Sequence, residues 1–336
     1  MADFLKILDG AELANISVQF DYASATADFV GLKLMPMVKT PNLKVAMYNL
    51  VKGHAVPAIA LVHAFDAEAR IGDRPSYEEI REDMFLIKEK IDQGEELRKK
   101  VRDLGMDSGE DAMLAAIYDD IANEIAKVLT AFERRACELL STGKIVINEN
   151  GAVRNVDYHF ADANTINVTG WSTPSHDIIG DYAALKTASK GRIVRQIMST
   201  KVLGYIMANE RMNAFATASL QPMTEQFAKN YFLNNFGIEI IVDDRTYRTS
   251  YQGGKEYRFF DEDTIVSLTT RGEVGKTFMT TTPTEDAGIA DKEYGFVAVN
   301  QWTTPDPCTS WTKAEGVGLP VIADINNTLF LTKVTA

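Results

Sequence analysis

One stretch of the sequence partly matches a phosphate-binding loop. Gly272-Glu273-Val274-Gly275-Lys276-Thr277 ends in the Gly-Lys-Thr with which such loops hold nucleotide phosphates. The complete pattern needs a glycine five residues before Gly275, where this chain has Thr270, and a helix directly after Thr277. Residues 278–283 favour a strand or loop instead. We therefore expect no nucleotide site, and a nucleotide-dependent enzyme using residues 272–277 is kept only as an alternative function.

Candidate nucleophiles and metal ligands are few. The nucleophile pattern Gly-x-Ser-x-Gly is absent. Cys137 falls beside an apolar helix stripe and is expected in the core, whereas Cys308 is predicted in a loop. A zinc site needs three or four grouped ligands, and the histidines with the nearby acid are spaced wrongly for one: His54, His63, Asp66, His159 and His176. The sequence predicts no catalytic residue, no cofactor-binding residue and no metal site.

Two acidic clusters and three tryptophans complete the candidates. Asp243-Asp244 and Asp261-Glu262-Asp263 follow predicted strands, where they could bind calcium or act as acid and base. Acids at hairpin turns explain them more simply. Trp171, Trp302 and Trp311 are interpreted as too scattered for a stacking platform. This absence of a polar constellation favours a structural protein over an enzyme.

Composition limits the class of protein. A chain of 336 residues suggests about two domains, and 46% hydrophobic with 24% charged residues is ordinary for a globular protein. With a net charge of −12, the chain lacks the excess of basic residues that is typical of a nucleic-acid binder. No apolar run reaches the length of a membrane span, the first residues do not form a signal peptide, and two cysteines fit a reducing compartment. We expect the chain to be made and kept in the cytoplasm of its cell.

The first third of the chain is weakly patterned. Residues 1–44 are expected to form an extended arm with a short helix near Asp9–Asn15. Apolar runs at 45–51 and 56–62 indicate two strands of a long hairpin or loop. Residues 76–103 are charged and are predicted to be helical, although like charges four residues apart disfavour a helix. The basic cluster Arg98–Arg102 is interpreted as a solvated helix face.

The strongest local pattern covers residues 108–142. Ser108 is a suitable N-cap, Gly143 a suitable stop, and apolar residues recur every three or four positions between them. The pattern predicts one long amphipathic helix that packs as a beam. The stripe contains Leu114, Ile117, Tyr118, Ile121, Ile125, Val128, Leu129, Phe132, Ala136, Leu139 and Leu140.

The remainder is mixed. Asn150-Gly151 between two β-prone runs predicts a hairpin. Helices are predicted at 177–187, 196–209 and 224–235, a strand at 237–244, a hairpin at 245–260, and strands at 264–269, 319–323 and 328–334. Because helices and strands are segregated rather than strictly alternating, the fold class is α+β.

Four stretches carry a resemblance to a known family. They are Phe132–Lys144 leading into the hairpin, the Gly170–Pro174 turn with Asp177 and Asp181 opening a helix, Tyr247–Leu268, and Leu319–Asp324 followed by Thr328–Val334. In this order they resemble the major capsid proteins of tailed bacteriophages typified by the lambda major head protein, which have the Hong Kong 97-like capsid fold. Asp261-Glu262-Asp263 stands where that family has a proline-aspartate-asparagine corner.

The resemblance implies a domain map. Residues 1–44 would be an N-terminal arm that orders on assembly, and 45–78 an extended loop. Residues 79–170 would be a peripheral domain containing the spine helix 108–142. Residues 171–300 would be the axial domain, and 301–336 would return to the core as strands.

The resemblance also implies a function. The chain would be a non-enzymatic major capsid protein that assembles with itself, as hexamers and pentamers, into an icosahedral shell enclosing phage DNA. A separate scaffolding protein, a portal and a possible decoration protein would be partners. Contact with double-stranded DNA would be non-specific, and no membrane would be involved. The shell of an encapsulin-like cellular compartment is an alternative.

Overall fold

The computed structural model describes residues 20–50, 77–93, 106–250, 253–288, 295–305 and 308–335. The chain forms two compact units, each discontinuous in sequence. The first draws on Met1–Val45, Asp83–Ala136 and Lys276–Val321, and the second on Ala46–Glu82, Cys137–Gly275 and Ile322–Ala336. The arm, loop, peripheral and axial segments of the resemblance stay predictions.

One helix is much longer than the others. The helices are α1 Tyr22–Ala25, α2 Gly31–Leu34, α3 Met106–Thr142, α4 Ile178–Ala188, α5 Thr200–Ala208, α6 Glu210–Ala218, α7 Glu225–Phe236, α8 Pro283–Asp286 and α9 Ile325–Thr328, with a 3-10 turn at Asp162–Asn164. Helix α3 has 37 residues, which corresponds to about 55 Å. Within the described residues, none of these helices has the length and apolar character needed to cross a membrane.

Strands of the described residues form two five-stranded sheets and three two-stranded pairs. They are β1 Met37–Lys39, β2 Lys44–Leu50, β3 Tyr77–Asp83, β4 Phe85–Gln93, β5 Lys144–Glu149, β6 Ala152–Asp157, β7 Thr165–Thr169, β8 Arg195–Met198, β9 Glu239–Val242, β10 Thr246–Arg248, β11 Glu256–Arg258, β12 Thr264–Leu268, β13 Lys276–Thr280, β14 Ala298–Pro305, β15 Cys308–Val321 and β16 Leu329–Thr335. The pairs are β2–β3, β5–β6 and β10–β11.

The first unit packs α3 against a mixed sheet. Strand β15 lies between β4 on one side and β13 and β14 on the other, and β1 pairs with β13 in parallel. Val128, Leu129 and Phe132 of α3 share a core with Met279 and Ala314 of the sheet. Gly318 of β15 permits this close packing, because a Cβ there would collide with Met279 and lie 3.1 Å from the Phe132 ring.

A buried carboxylate secures the N-terminal part of this unit. The Glu133 side chain of α3 accepts hydrogen bonds from the backbone N–H groups of Val30, Gly31 and Leu32, at 2.8, 2.9 and 2.7 Å. Leu32 also joins the core of α3. These hydrogen bonds join residues 30–32 to α3 within the first unit, while the expectation that residues 1–44 form an arm that orders on assembly stays a prediction. The predicted helix at Asp9–Asn15 lies outside the described residues.

The second unit is a five-stranded sheet covered by helices. The strand order is β7-β16-β12-β8-β9, with β7–β16 and β8–β9 parallel. Trp171, Tyr182 of α4 and Phe232 of α7 form the centre of the core, with 4.4 Å between the ring centroids of Tyr182 and Phe232. Asp177, Ser199 and Thr224 each cap a helix by accepting from the backbone N–H three residues later.

Several local predictions are confirmed. The long helix spans Met106–Thr142, and Gly143 ends it at φ 71°. Asn150 and Gly151, at φ 49° and 81°, join β5 to β6. The stripe is buried from Ile121 to Leu140. Helices α4 and α7 and the hairpin of β10 and β11 also match the prediction.

The predicted helix at 76–103 is wrong over its described part. Residues 77–93 form β3 and β4 instead. Phe85, Ile87 and Ile91 are less exposed than Leu86 and the charged residues between them, which is the two-residue period of a strand. The like-charged pairs that disfavour a helix are harmless in a strand. The first predicted strand, 45–51, corresponds to β2, while the second, 56–62, and the cluster Arg98–Arg102 lie outside the described residues.

The predicted helix at 196–209 is also wrong in its first part. Gln196–Met198 belong to the buried strand β8, and α5 begins only at Thr200, where Ser199 supplies the cap. Helix α6 was not predicted. Asn209 starts it by accepting from the N–H groups of Arg211 and Met212. A serine or asparagine cap that divides an apolar run is easily overlooked when only periodicity is considered.

Candidate functional site

The partial phosphate loop has no phosphate-binding geometry. The N–H of Gly272 donates to the Thr270 hydroxyl at 3.1 Å. Lys276 begins strand β13, not a helix. The hydroxyl of Thr277, which a phosphate loop would direct to a metal ion, is buried and donates to the Met35 carbonyl at 2.9 Å. The geometry of residues 272–277 therefore does not support the alternative of a nucleotide-dependent enzyme.

The cysteines and histidines that the structure describes are not brought into one site. Cys137 is buried in α3, as expected, whereas Cys308 is the first residue of β15 and not part of a loop. His176 lies 2.8 Å from the Asp181 carboxylate, which also accepts from the Trp171 indole. Among the described side chains, no three of His, Cys, Asp or Glu are grouped as metal ligands. His159 is described, whereas His54, His63 and Asp66 are outside the described residues.

The first acidic pair is held by cations beyond the carboxyl ends of the parallel strands β8 and β9. Buried Asp243 pairs with Arg245 through both carboxylate oxygens, at 2.9 and 2.6 Å. Asp244 accepts from the N–H of Thr200 at the start of α5 and pairs with Arg258 of β11. Both carboxylates are thus occupied by fixed donors.

The second acidic cluster completes the network. Asp261 accepts from the Thr264 hydroxyl at 2.7 Å, as an acid in a turn does. Lys201 of α5 lies 2.9 Å from Asp263 and 3.4 Å from Glu262. The interpretation of these acids as turn residues holds for Asp261, while the others also form ion pairs.

The electrostatics of this network favour permanent charge. Burial acts to raise the pKa of the Asp244 carboxyl, but hydrogen bonds from Thr200 and Arg258 outweigh it and hold the pKa below its ordinary value. A hydrogen bond to Asp263 raises the pKa of the Lys201 ammonium above its ordinary value. Groups that remain ionised and paired at neutral pH hold structure in place rather than transfer protons.

The network positions an aromatic hairpin. Tyr247 of β10 and Tyr257 of β11 are cross-strand partners whose ring centroids lie 5.7 Å apart. The Phe259 ring packs against Tyr247 at 5.1 Å. Tyr257 is 41% exposed, and Arg258 next to it carries the ion pair to Asp244. This arrangement presents a stacked aromatic surface on a fixed hairpin, which suits contact with another macromolecule better than catalysis.

Two of the three tryptophans form a stack, contrary to the prediction that they are scattered. Trp302 of β14 and Trp311 of β15 are directly paired across the strands, with ring centroids 6.5 Å apart and an angle of 20°. Lys90 of β4 places its ammonium 4.2 Å from the Trp311 ring centroid. Trp171 is buried in the second unit.

Comparison with known proteins gives no match by sequence. No protein-family model matches the chain, and no curated protein matches it.

Comparison of structures does find similar proteins. A candidate capsid protein of a prophage of E. coli CFT073 is similar with a TM-score of 0.63 at 15% identity, covering 98% of this chain and 99% of that one. A phage-related protein of Bordetella bronchiseptica RB50 gives 0.53 at 10% identity, covering 96% and 95%. The mature capsid of bacteriophage PhiM1 gives 0.50 at 8% identity, covering 91% and 87%. The α+β chain therefore has the Hong Kong 97-like fold of phage capsid proteins.

Proposed function

We propose that the chain is a major capsid protein that assembles with itself into the icosahedral shell around packaged phage DNA. The observation that carries the proposal is the end-to-end similarity to the prophage capsid candidate, which covers 98% of this chain. Aromatic and cationic side chains on paired strands, at Tyr257 and at Trp311, support a protein whose function depends on contacts with other macromolecules. A structural role without catalysis is part of this proposal.

The proposal extends to partners and location. The order of segments supports the family of the lambda major head protein. Hexamers and pentamers of the chain would assemble in the host cytoplasm with a separate scaffolding protein and a portal, and a decoration protein could bind the finished virion capsid. The net charge of −12 supports a container whose contact with DNA is non-specific and non-adhesive.

Negative-stain microscopy tests the proposal directly. The full chain would be expressed alone and together with its neighbouring genes, and both samples imaged over a range of concentrations. Shells, tubes or regular rings of five and six subunits are the expected result. The particle diameter would then separate a phage head from the smaller encapsulin-like compartment. The proposal would be refuted if every sample contained monomers or dimers and no larger assembly.

A further inference from the structure

Lys127 of α3 stands between two carboxylates that belong to different elements. Its ammonium lies 2.6 Å from Glu124, which is one turn earlier on the same helix, and 3.2 Å from Glu89 of β4. The Lys127 side chain is 27% exposed, so water screens these two ion pairs only in part. One ammonium therefore connects the long helix to a strand of the sheet on which it packs.

The two carboxylates differ in how much they need the ammonium. The side chain of Glu124 is 1% exposed and that of Glu89 is 55% exposed. Oε2 of Glu124 is buried without a hydrogen-bond partner. Water can solvate the charge of Glu89, whereas an ionised Glu124 depends on Lys127. Glu124 is therefore the member of this cluster that gains most from taking up a proton.

The charged groups around Glu124 come from both elements. Burial raises the pKa of the Glu124 carboxyl above its ordinary value, the hydrogen bond and charge of Lys127 oppose this rise, and the charges of Glu89 and Asp120 add to it. Ala314 of β15, directly opposite Glu89, is uncharged and belongs to the core beneath α3. Proton uptake by Glu124 removes one of the two carboxylates that hold Lys127, and Glu89 is already within ion-pair distance.

Glu89 lies on the face of β4 that packs against α3. Phe85 and Ile87 of β4 pack against the core that this helix shares with the sheet. Glu89 follows Ile87 by two residues, and alternate residues of a strand share one face. The ion pair of Lys127 with Glu89 is therefore part of the contact between α3 and β4, and its strength affects how firmly the helix holds this strand.

We propose that Lys127 is a proton-dependent link between α3 and β4. While Glu124 is ionised, it holds the ammonium of Lys127 within the helix. When Glu124 binds a proton, the ammonium passes to Glu89, and the helix then holds the strand more firmly. Mild acid thus strengthens the contact between α3 and β4, whereas neutral pH loosens it.

The first test is a double-mutant cycle in the full chain. Lys127→Met, Glu89→Gln and the double variant are unfolded in urea at pH 7.5 and pH 5.5, and the coupling between the two residues is calculated at each pH. Solvent-exposed glutamates remain mostly ionised at pH 5.5. The coupling, expressed as a factor in the unfolding equilibrium constant, should therefore rise by about two- to threefold at pH 5.5. A coupling that is unchanged or smaller at pH 5.5 would overturn the inference.

Glu124→Gln is the matched control for this cycle. Glutamine keeps the shape of the side chain but is uncharged at both pH values, so Lys127 should pair with Glu89 throughout. In this background the coupling at pH 7.5 should already equal the value that the parent reaches at pH 5.5. A coupling that still rises between pH 7.5 and pH 5.5 in the glutamine background would overturn the inference, because a group other than Glu124 would then be responsible.

The second test is direct and uses crystal structures of the parent chain at pH 8 and pH 5. At pH 8 the Lys127 ammonium should lie closer to Glu124 than to Glu89, and at pH 5 this order should be reversed. The same position of the ammonium at both pH values would overturn the inference. Neither test depends on shell formation, so the failure of this inference and the failure of the proposed function are distinguishable.

Discussion

Two glutamates of α3 are equally buried and very differently satisfied. Glu133 is 0% and Glu124 1% exposed. Three backbone N–H groups donate to Glu133, whereas Oε2 of Glu124 has no hydrogen-bond partner among the described residues. A buried carboxylate is costly unless it is fully bonded. Glu133 therefore holds the neighbouring backbone in place, whereas Glu124 is buried with incomplete hydrogen bonding.

The difference arises from what each carboxylate faces. Glu133 meets successive amides where α2 begins, and amides at a helix start lack partners within the helix. Glu124 depends on Lys127, 2.6 Å away, which is shared with Glu89 of β4 at 3.2 Å. Burial raises the pKa of Glu124 above its ordinary value, although the bond to Lys127 acts in the opposite direction. Lys127, which is shared between two carboxylates, therefore offsets the cost of burying Glu124 less completely than three backbone donors offset the cost of burying Glu133.

Replacement of Glu133 should have the largest effect. Glu133→Ala removes the acceptor for three buried N–H groups and should lower the free energy of unfolding by about 3–5 kcal/mol. Urea unfolding of the full chain, followed by circular dichroism, measures this change. Glu133→Gln is the matched control: it keeps one oxygen and the shape, so its loss should be about half as large. A loss below about 1 kcal/mol in the alanine variant would show that the three hydrogen bonds to Glu133 contribute little to stability.

Removal of the shared cation should have an intermediate effect. Lys127→Met keeps the aliphatic packing but leaves Glu124 buried without its cation, and should cost about 1–3 kcal/mol at neutral pH. The cost should shrink as the pH falls, because protonated Glu124 no longer needs the cation. Unfolding at pH 7 and pH 5 checks this. A cost independent of pH would mean that Lys127 acts through packing alone.

Replacement of Glu124 should change the free energy of unfolding least at neutral pH. The direction in which this change varies with pH is the informative result. The folded pKa of Glu124 lies above its ordinary value of 4.5. The stability this group contributes is therefore complete below pH 4.5 and is lost as the pH rises through the folded pKa. Glu124→Gln should be within about 1 kcal/mol of the parent at pH 7. Relative to the parent, the variant should gain stability from pH 4 to pH 7. A difference that stays constant over this range would contradict the assignment.

Features that depend on neighbours in sequence were predictable. The apolar stripe of α3, its glycine stop and the Asn150-Gly151 turn are encoded within a few residues, and all three are confirmed. The strands β3 and β4 were missed because their dense charges hid a two-residue alternation. Their partners are distant in sequence, since β4 pairs with β15.

Features that depend on register between distant strands were not predictable. The Trp302–Trp311 stack follows from the direct pairing of those residues in β14 and β15. No local sequence pattern predicts it. The anchoring role of Glu133 also requires a residue about 100 positions away. The position of Glu133 next to Phe132 of the buried stripe could have drawn attention to it, because charged residues are rarely buried without partners.

The position of β16 has a consequence for the order in which the chain can fold during synthesis. This strand follows β15 along the chain, yet it lies between β7 and β12 and is the only partner of β7 in the described sheet. The ribosome must therefore deliver all of residues 276–321 before the second unit can close its sheet. A chain released early would lack a finished second unit. The second unit can therefore reach its final fold only when translation is nearly complete.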